Sequence, residues 1–215
     1  DGVGYASLEE AIAAANAGDT VTLRTDLTLS SALLLDKAIT LDGAGHTISA
    51  VDGVDYVVSE TARLIEATAP STISNLTIDG KGVYTDKYGI RGIYTIGTGD
   101  VKIENVKILN CTYAINACHT GDLVVVNSTL QGWNSYAGSV ANSRFENVKF
   151  IEGEFDNFRP YNNTVCKNCD FGAGVVIDLS HMVAGATITF DQCTVNGQPL
   201  KESDLSDANA NFVIK

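Results

Sequence analysis

Short runs of alternating apolar and polar residues dominate this chain. Thr20-Val21-Thr22-Leu23, Leu27-Thr28-Leu29 and Ala38-Ile39-Thr40-Leu41-Asp42-Gly43 carry the period of two that marks a half-buried strand. Turn signals at Asp42-Gly43, Gly45, Asp52-Gly53, Asp79-Gly80 and Gly82 cut the chain into pieces so short that conventional hairpins are not the only solution. Ahead of them the period lengthens. Leu8, Ala11, Ile12 and Ala15 share one helical face, Ser7 is placed to cap the N-terminus with Glu10 three residues on, and Asn16 and Gly18 supply the exit. This predicts a helix over 7–17 that covers the open end of a sheet stack.

Pieces of this length call for a search for repeats. Six units align: Ile73-Ser74-Asn75-Leu76-Thr77-Ile78, Ile103-Glu104-Asn105-Val106-Lys107-Ile108, Val125-Val126-Asn127-Ser128-Thr129-Leu130, Phe145-Glu146-Asn147-Val148-Lys149-Phe150, Cys166-Lys167-Asn168-Cys169-Asp170-Phe171 and Phe190-Asp191-Gln192-Cys193-Thr194-Val195. Their third positions advance in steps of 30, 22, 20, 21 and 24 residues, within the solenoid range. Alternation changes phase across that third residue, as a corner between two strands requires. Asparagine suits such a corner because it tolerates the left-handed backbone region. Asn75, Asn105, Asn127, Asn147 and Asn168, with Gln192 as an altered last rung, are therefore expected to form a structural ladder, its coils roughly 4.8 Å apart. A leucine-rich horseshoe has similar steps, but its recurring leucines are missing. The expected fold class is all-β: a right-handed, single-stranded parallel β-helix with an N-terminal capping helix. One domain would cover 1–215, with coils over 19–198 and a closure over 199–215.

Composition narrows the function more than the fold. With 26 acidic and 14 basic residues the formal net charge is −12, and no basic stripe offsets repulsion from phosphates, so nucleic acid is not an expected partner. Apolar residues at 45% can fill a sizeable core, and 20 glycines with abundant Asn and Thr suit short strands and tight turns. No apolar stretch is long enough to span a membrane. The opening Asp1-Gly2-Val3-Gly4 has no signal-peptide pattern, as would also be true of a processed precursor.

Cys111, Cys118, Cys166, Cys169 and Cys193 are an odd number for a disulfide framework. Cys166-Lys167-Asn168-Cys169 has the separation used by metal sites and redox dithiols. The repeat register instead puts Cys166 at an inward first position and stacks Cys169 and Cys193 at the fourth, where a reduced thiol serves as a small hydrophobe. A Cys169–Cys193 disulfide would need suitable side-chain geometry. His46, His119 and His181 are scattered without a metal motif, and phosphate-loop, dinucleotide and nucleophile-elbow patterns are missing, so no metal or cofactor is expected. The glycosylation-like strings at Asn75, Asn110, Asn127 and Asn162 include two ladder positions, where the match is incidental.

Leu8-Glu9-Glu10-Ala11-Ile12 through Ala17-Gly18-Asp19-Thr20-Val21-Thr22-Leu23, followed by Ala38-Ile39-Thr40-Leu41-Asp42-Gly43, resembles the capping helix and first coils of the pectin-lyase-like superfamily of parallel β-helices. The ending, Thr194-Val195-Asn196-Gly197-Gln198-Pro199-Leu200 and Ala210-Asn211-Phe212-Val213-Ile214, is similar to C-terminal closures of surface-attached bacterial members. The resemblance implies a secreted or cell-surface module joined to neighbouring domains of a longer polypeptide. Its enzymes are polysaccharide lyases and glycoside hydrolases. The Asn-Thr-Asp, Asp-Asp, Gly-His-Gly and Arg-Ile-Lys elements of polygalacturonase-like hydrolases are not found here, the nearest string being Val101-Lys102-Ile103, and the acidic cluster with an adjacent basic residue of calcium-dependent pectate lyases cannot be matched motif by motif, so no catalytic residue is carried over.

Between the units lie the stretches expected to form the remaining long face: Tyr88 to Tyr94, Tyr113 to His119, Trp133 to Tyr136, Phe155 to Tyr161 and Val175 to His181. They hold the single tryptophan and most tyrosines. Rigid aromatics beside Asn, Arg and Asp suit sugar rings or a protein hot spot, which selects Arg91, Tyr94, Asn116, Trp133, Tyr136, Arg159, Tyr161 and Asp178 as candidate ligand-binding residues. The competing reading packs these aromatics across coil corners. Two functions follow. A non-enzymatic extracellular or surface module, adhesive or glycan-contacting, with a glycan or host surface protein as partner, should lack a convergent charged cleft. A divergent polysaccharide lyase or glycoside hydrolase should bring together at least two of Arg91, Asp156, Arg159, Asp178 and His181, with Asp156 or Asp178 as acid or base.

Overall fold

The computed structural model describes residues 2–82, 89–136, 139–153, 156–206 and 211–215. Tyr88 and Phe155 of the long face, and Ala210 of the closure, lie outside the described residues. The helix is real but shorter than expected, Leu8–Ala14 rather than 7–17. Ser7 Oγ accepts the Glu10 N–H at 3.1 Å, and the chain turns extended at Ala15, where Lys37 Nζ reaches the carbonyls of Ile12, Ala13 and Ala15. These bonds satisfy one orphan donor at the start of the helix and three carbonyls at its end. Leu8 and Ile12 are buried, and the helix packs on the strands Thr20–Thr22 and Leu33–Leu35, the first and third in the chain.

Among the described residues the strands form a sixteen-stranded and a nine-stranded sheet. Successive coils pair in parallel. Antiparallel pairing occurs at two local hairpins, Val57–Val58 with Thr61–Ala67 and Thr194–Val195 with Gln198–Pro199. The chain passes repeatedly from one sheet to the other, so the architecture is an all-β solenoid. Within the closure, Asn211–Ile214 extends the parallel ladder by pairing with Thr187–Asp191.

Register explains the core. Ile73, Ile103, Val125, Phe145, Cys166 and Phe190 align inward as one column, and Ile78, Ile108, Leu130, Phe150, Phe171 and Val195 as another. Across the interior, Ile65, Ile93, Ile115, Asn134, Phe158 and Ile177 align on the nine-stranded sheet. Phe158 stands edge-on to Phe145, Phe150 and Phe171, while Phe150 and Phe171 stack at 4.7 Å, so the two sheets enclose one aromatic core.

Each of the six ladder residues has φ between 50° and 54°, the left-handed conformation expected of a corner. Two outward residues in succession, Glu104 then Asn105, produce the change of phase. The Asn105 amide donates to Asn75 Oδ1 (3.1 Å), Asn147 to Asn127 (2.9 Å) and Asn168 to Asn147 (3.3 Å). Asn75 in turn donates to Asp42 Oδ1, so the ladder starts on a carboxylate that the repeat did not reveal. The amides run along the outer surface. A further corner lies at Asn110, with φ 53° and its amide donating to Asp79 Oδ1 at 2.8 Å.

The cysteines are free. Cys166, Cys169 and Cys193 are buried, with Cys193 Sγ on the Cys166 carbonyl at 3.3 Å and Cys169 Sγ on that of Phe145 at 3.5 Å. No group of three or more His, Cys, Asp or Glu among the described residues is arranged to hold a metal ion. No described helix is long and apolar enough to cross a membrane.

Candidate functional site

The outer face of the nine-stranded sheet carries most of the candidate residues. Register aligns Arg63, Arg91, Tyr113 and Trp133 in one row and Glu66, Tyr94, Asn116, Ser135 and Arg159 in another. A register shift between Tyr113 and Ile115 sets Trp133 beside Tyr113 and turns Asn134 inward. Gly132 permits this: its φ is 114°, and a β-carbon there would lie 2.3 Å from the Cys111 carbonyl oxygen.

Cations and rings alternate along the face. The Arg63 guanidinium lies over Tyr94 at 4.3 Å, Arg91 over Tyr113 at 4.7 Å and Arg159 over Trp133 at 5.2 Å, while Tyr113 meets Trp133 edge-on at 4.9 Å. Arg91 Nε donates to Asn116 Oδ1 at 3.0 Å. Arg63, buried, pairs with buried Glu66 at 2.8 Å and caps the carbonyls of Val58 and Thr61. Sequence reasoning missed this pair because it precedes the first recognised repeat; the available signal was the i, i+3 spacing of opposite charges. Burial, with Cys118 beside it, raises the Tyr94 hydroxyl above its ordinary pKa.

Tyr136 is a correction. It is 1% exposed and packs against Phe145 and Phe158, inside the solenoid, because the strand Trp133–Tyr136 sends Asn134 and Tyr136 inward and Trp133 and Ser135 outward. It offers nothing to an external ligand. Arg91 is also largely covered, at 5% exposure.

At the other end of the face three of the residues named for an enzyme converge. Arg159 Nε donates to Asp178 Oδ2 at 3.2 Å, and His181 Nδ1 lies 3.7 Å from the same oxygen. Tyr161 flanks the His181 ring at 5.5 Å. Ser180 donates through Oγ and N to Asp178 Oδ1. Burial acts to raise the Asp178 pKa, but the two Ser180 bonds and the charges of Arg159 and His181 outweigh it and hold the carboxyl below its ordinary value. Arg91 lies on an earlier coil. Asp156 answers to burial and to Glu152, both of which raise its pKa, rather than to Asp178.

This chemistry suits binding. A serine nucleophile relay needs imidazole between the hydroxyl and the carboxylate, bonding each through a different nitrogen. Here Ser180 Oγ donates directly to Asp178 and also meets His181 Nδ1 at 2.9 Å. Asp178, already accepting from Arg159 and Ser180, is an anchored anion that holds the Arg159 fork against Trp133, leaving the guanidinium Nη atoms without hydrogen-bond partners among the described residues. No protein-family model matches the chain, and no curated protein and no solved structure is similar to it at a significant level, so function rests on this geometry.

Proposed function

We propose that this chain is a right-handed parallel β-helix of the pectin-lyase-like kind, acting as an extracellular or cell-surface module that contacts glycans through the outer face of its nine-stranded sheet. The observation that carries the reading is the Trp133–Arg159–Asp178 arrangement. An indole and a partly exposed guanidinium, fixed by a carboxylate, present apolar contact beside oriented donors. Tyr161 and His181 extend the same surface. The solenoid framework supports rigidity, since parallel coils hold these groups without loop rearrangement.

A second reading, a divergent polysaccharide lyase or glycoside hydrolase, is favoured by the convergence of Arg159, Asp178 and His181. Hydrolysis by paired carboxyl groups would require a second carboxylate across from Asp178, and Asp156 does not share its partners. A screen over neutral and acidic polysaccharides that records both binding and product release separates the readings. Binding without products, weakened by Arg159→Ala, is the expected outcome. Product formation lost in Asp178→Ala would replace the module by the enzyme.

A further inference from the structure

We infer that Cys169 and Cys193 are a modification site: in an oxidising medium they join as a disulfide that ties two of the last coils together. This goes beyond the glycan reading and does not rest on it. The backbone lays the two residues side by side. Lys167 pairs with Asp191 before the corner and Asp170 with Thr194 after it, and the Thr194 N–H donates to the Cys169 carbonyl at 2.9 Å. Neighbouring strands of a ladder stand about 4.8 Å apart, within the roughly 4.4–6.8 Å that Cα atoms span across a disulfide. Both side chains point into the core, 1% and 6% exposed, and their thiols are in hydrogen-bonding contact. Cys166 also touches Cys169, but it stands on the other side of the Asn168 corner, with Phe145 and Phe190 as its own neighbours on the adjoining coils. It is the thiol left over.

The bond closes a loop from Cys169 to Cys193, and that loop carries Asp178, Ser180 and His181. Its formation needs a disulfide oxidant such as oxidised glutathione. One protein thiolate attacks a glutathione sulfur and releases the first glutathione thiolate; the second then attacks the protein sulfur of the mixed disulfide and releases the other. Two electrons pass from the cysteines to glutathione, and the two cysteine protons end on the two released glutathiones. Thiolates are the attacking species, and in the folded chain they are scarce: the Cys166 thiol raises the pKa of Cys169 and the Cys169 thiol that of Cys193, with burial adding to both. Exchange therefore belongs to chains whose last coils are open, during folding or local unfolding, and the closed core then shields the bond from reductant.

Refolding from urea in a mixture of oxidised and reduced glutathione tests this. Alkylation of the unfolded product should find three of the five thiols free, and peptide mapping should show one cross-linked pair that joins Cys169 to Cys193. Trypsin cleaves at Lys167, which separates Cys166 from Cys169 and so identifies the partner. The oxidised chain should melt about 5–10 °C above the same chain reduced with a phosphine, the gain expected for a loop of this length in a chain of this size. Cys169→Ala and Cys193→Ala should each lose the cross-link and the gain, and Cys118→Ala, on an earlier coil, should keep both. Mapping of the wild type decides the matter even where an alanine variant fails to fold. Five free thiols after oxidative refolding, a bond that maps to Cys166, or an oxidised chain no more stable than the reduced one would overturn the inference.

Discussion

Replacing Asn147 isolates what the ladder corner contributes. Its φ of 53° is a conformation that disfavours most side chains, and its amide bridges Asn127 at 2.9 Å and Asn168 at 3.3 Å. Alanine in the left-handed region costs about 1–2 kcal/mol. The two side-chain bonds are exposed and contribute about 0.5 kcal/mol each, so Asn147→Ala should lose about 2–3 kcal/mol in total. Glycine loses the same bonds but is unstrained there. Its greater freedom when unfolded costs about 0.4–1 kcal/mol, for a total of about 1.5–2 kcal/mol. The glycine variant should therefore be the more stable of the two by about 1 kcal/mol, or about 2–4 °C in Tm for a chain of this size. Urea unfolding of both variants beside the wild type measures the order directly. Alanine equal to or better than glycine would refute backbone conformation as the reason for asparagine at the corner.

Three further outcomes follow from buried groups. His119 is held neutral mainly by burial, with its pKa below the ordinary 6.5 despite the Asp122 carbonyl and the charges of Asp100 and Asp122; Thr95 Oγ1 meets Nδ1 at 2.7 Å. The unfolded chain therefore binds this proton first, so the contribution is complete above pH 6.5 and is lost as pH falls below it, and denaturant midpoints of wild type against His119→Gln should diverge between pH 7.5 and 5. Tyr136→Phe removes a buried hydroxyl that has no hydrogen-bond partner among the described residues, and should leave stability unchanged or raise it by about 1 kcal/mol in thermal unfolding; a loss above that would mean that the hydroxyl is satisfied in solution. In the native state a thiol reagent should label Cys118 well before the others, because it alone is partly exposed: burial raises its thiol too, but Cys111, pushed up to about 12, and Cys166, Cys169 and Cys193, all raised, are buried as well.

The ladder was legible because a left-handed corner favours asparagine and coil length fixes its spacing. Asn75 to Gln192 thus announced themselves through backbone chemistry alone. Asp42 and Asp79 did not, because a carboxylate can receive a neighbouring amide without repeating the asparagine. The face was legible as a region but not residue by residue. Trp133 and Tyr136 lie three positions apart and so face opposite ways, and only the register shift at Tyr113 decides which of them faces out. Arg159 and Asp178 meet because they sit on neighbouring coils, a relation visible only once strands are paired. The helix end was misread because Lys37, distant in sequence, caps its carbonyls before Asn16 and Gly18 can.

Trp133 is the single tryptophan, so indole emission, excited selectively over the tyrosines, reports on the proposed glycan face alone. Titrating the chain with oligosaccharides from a binding screen should give a saturable change in that emission, with an affinity weakened at least tenfold by Arg159→Ala and unchanged by Lys107→Ala on the other sheet. Glycan binding that leaves the Trp133 emission and the Arg159→Ala affinity untouched would contradict the assignment of this face.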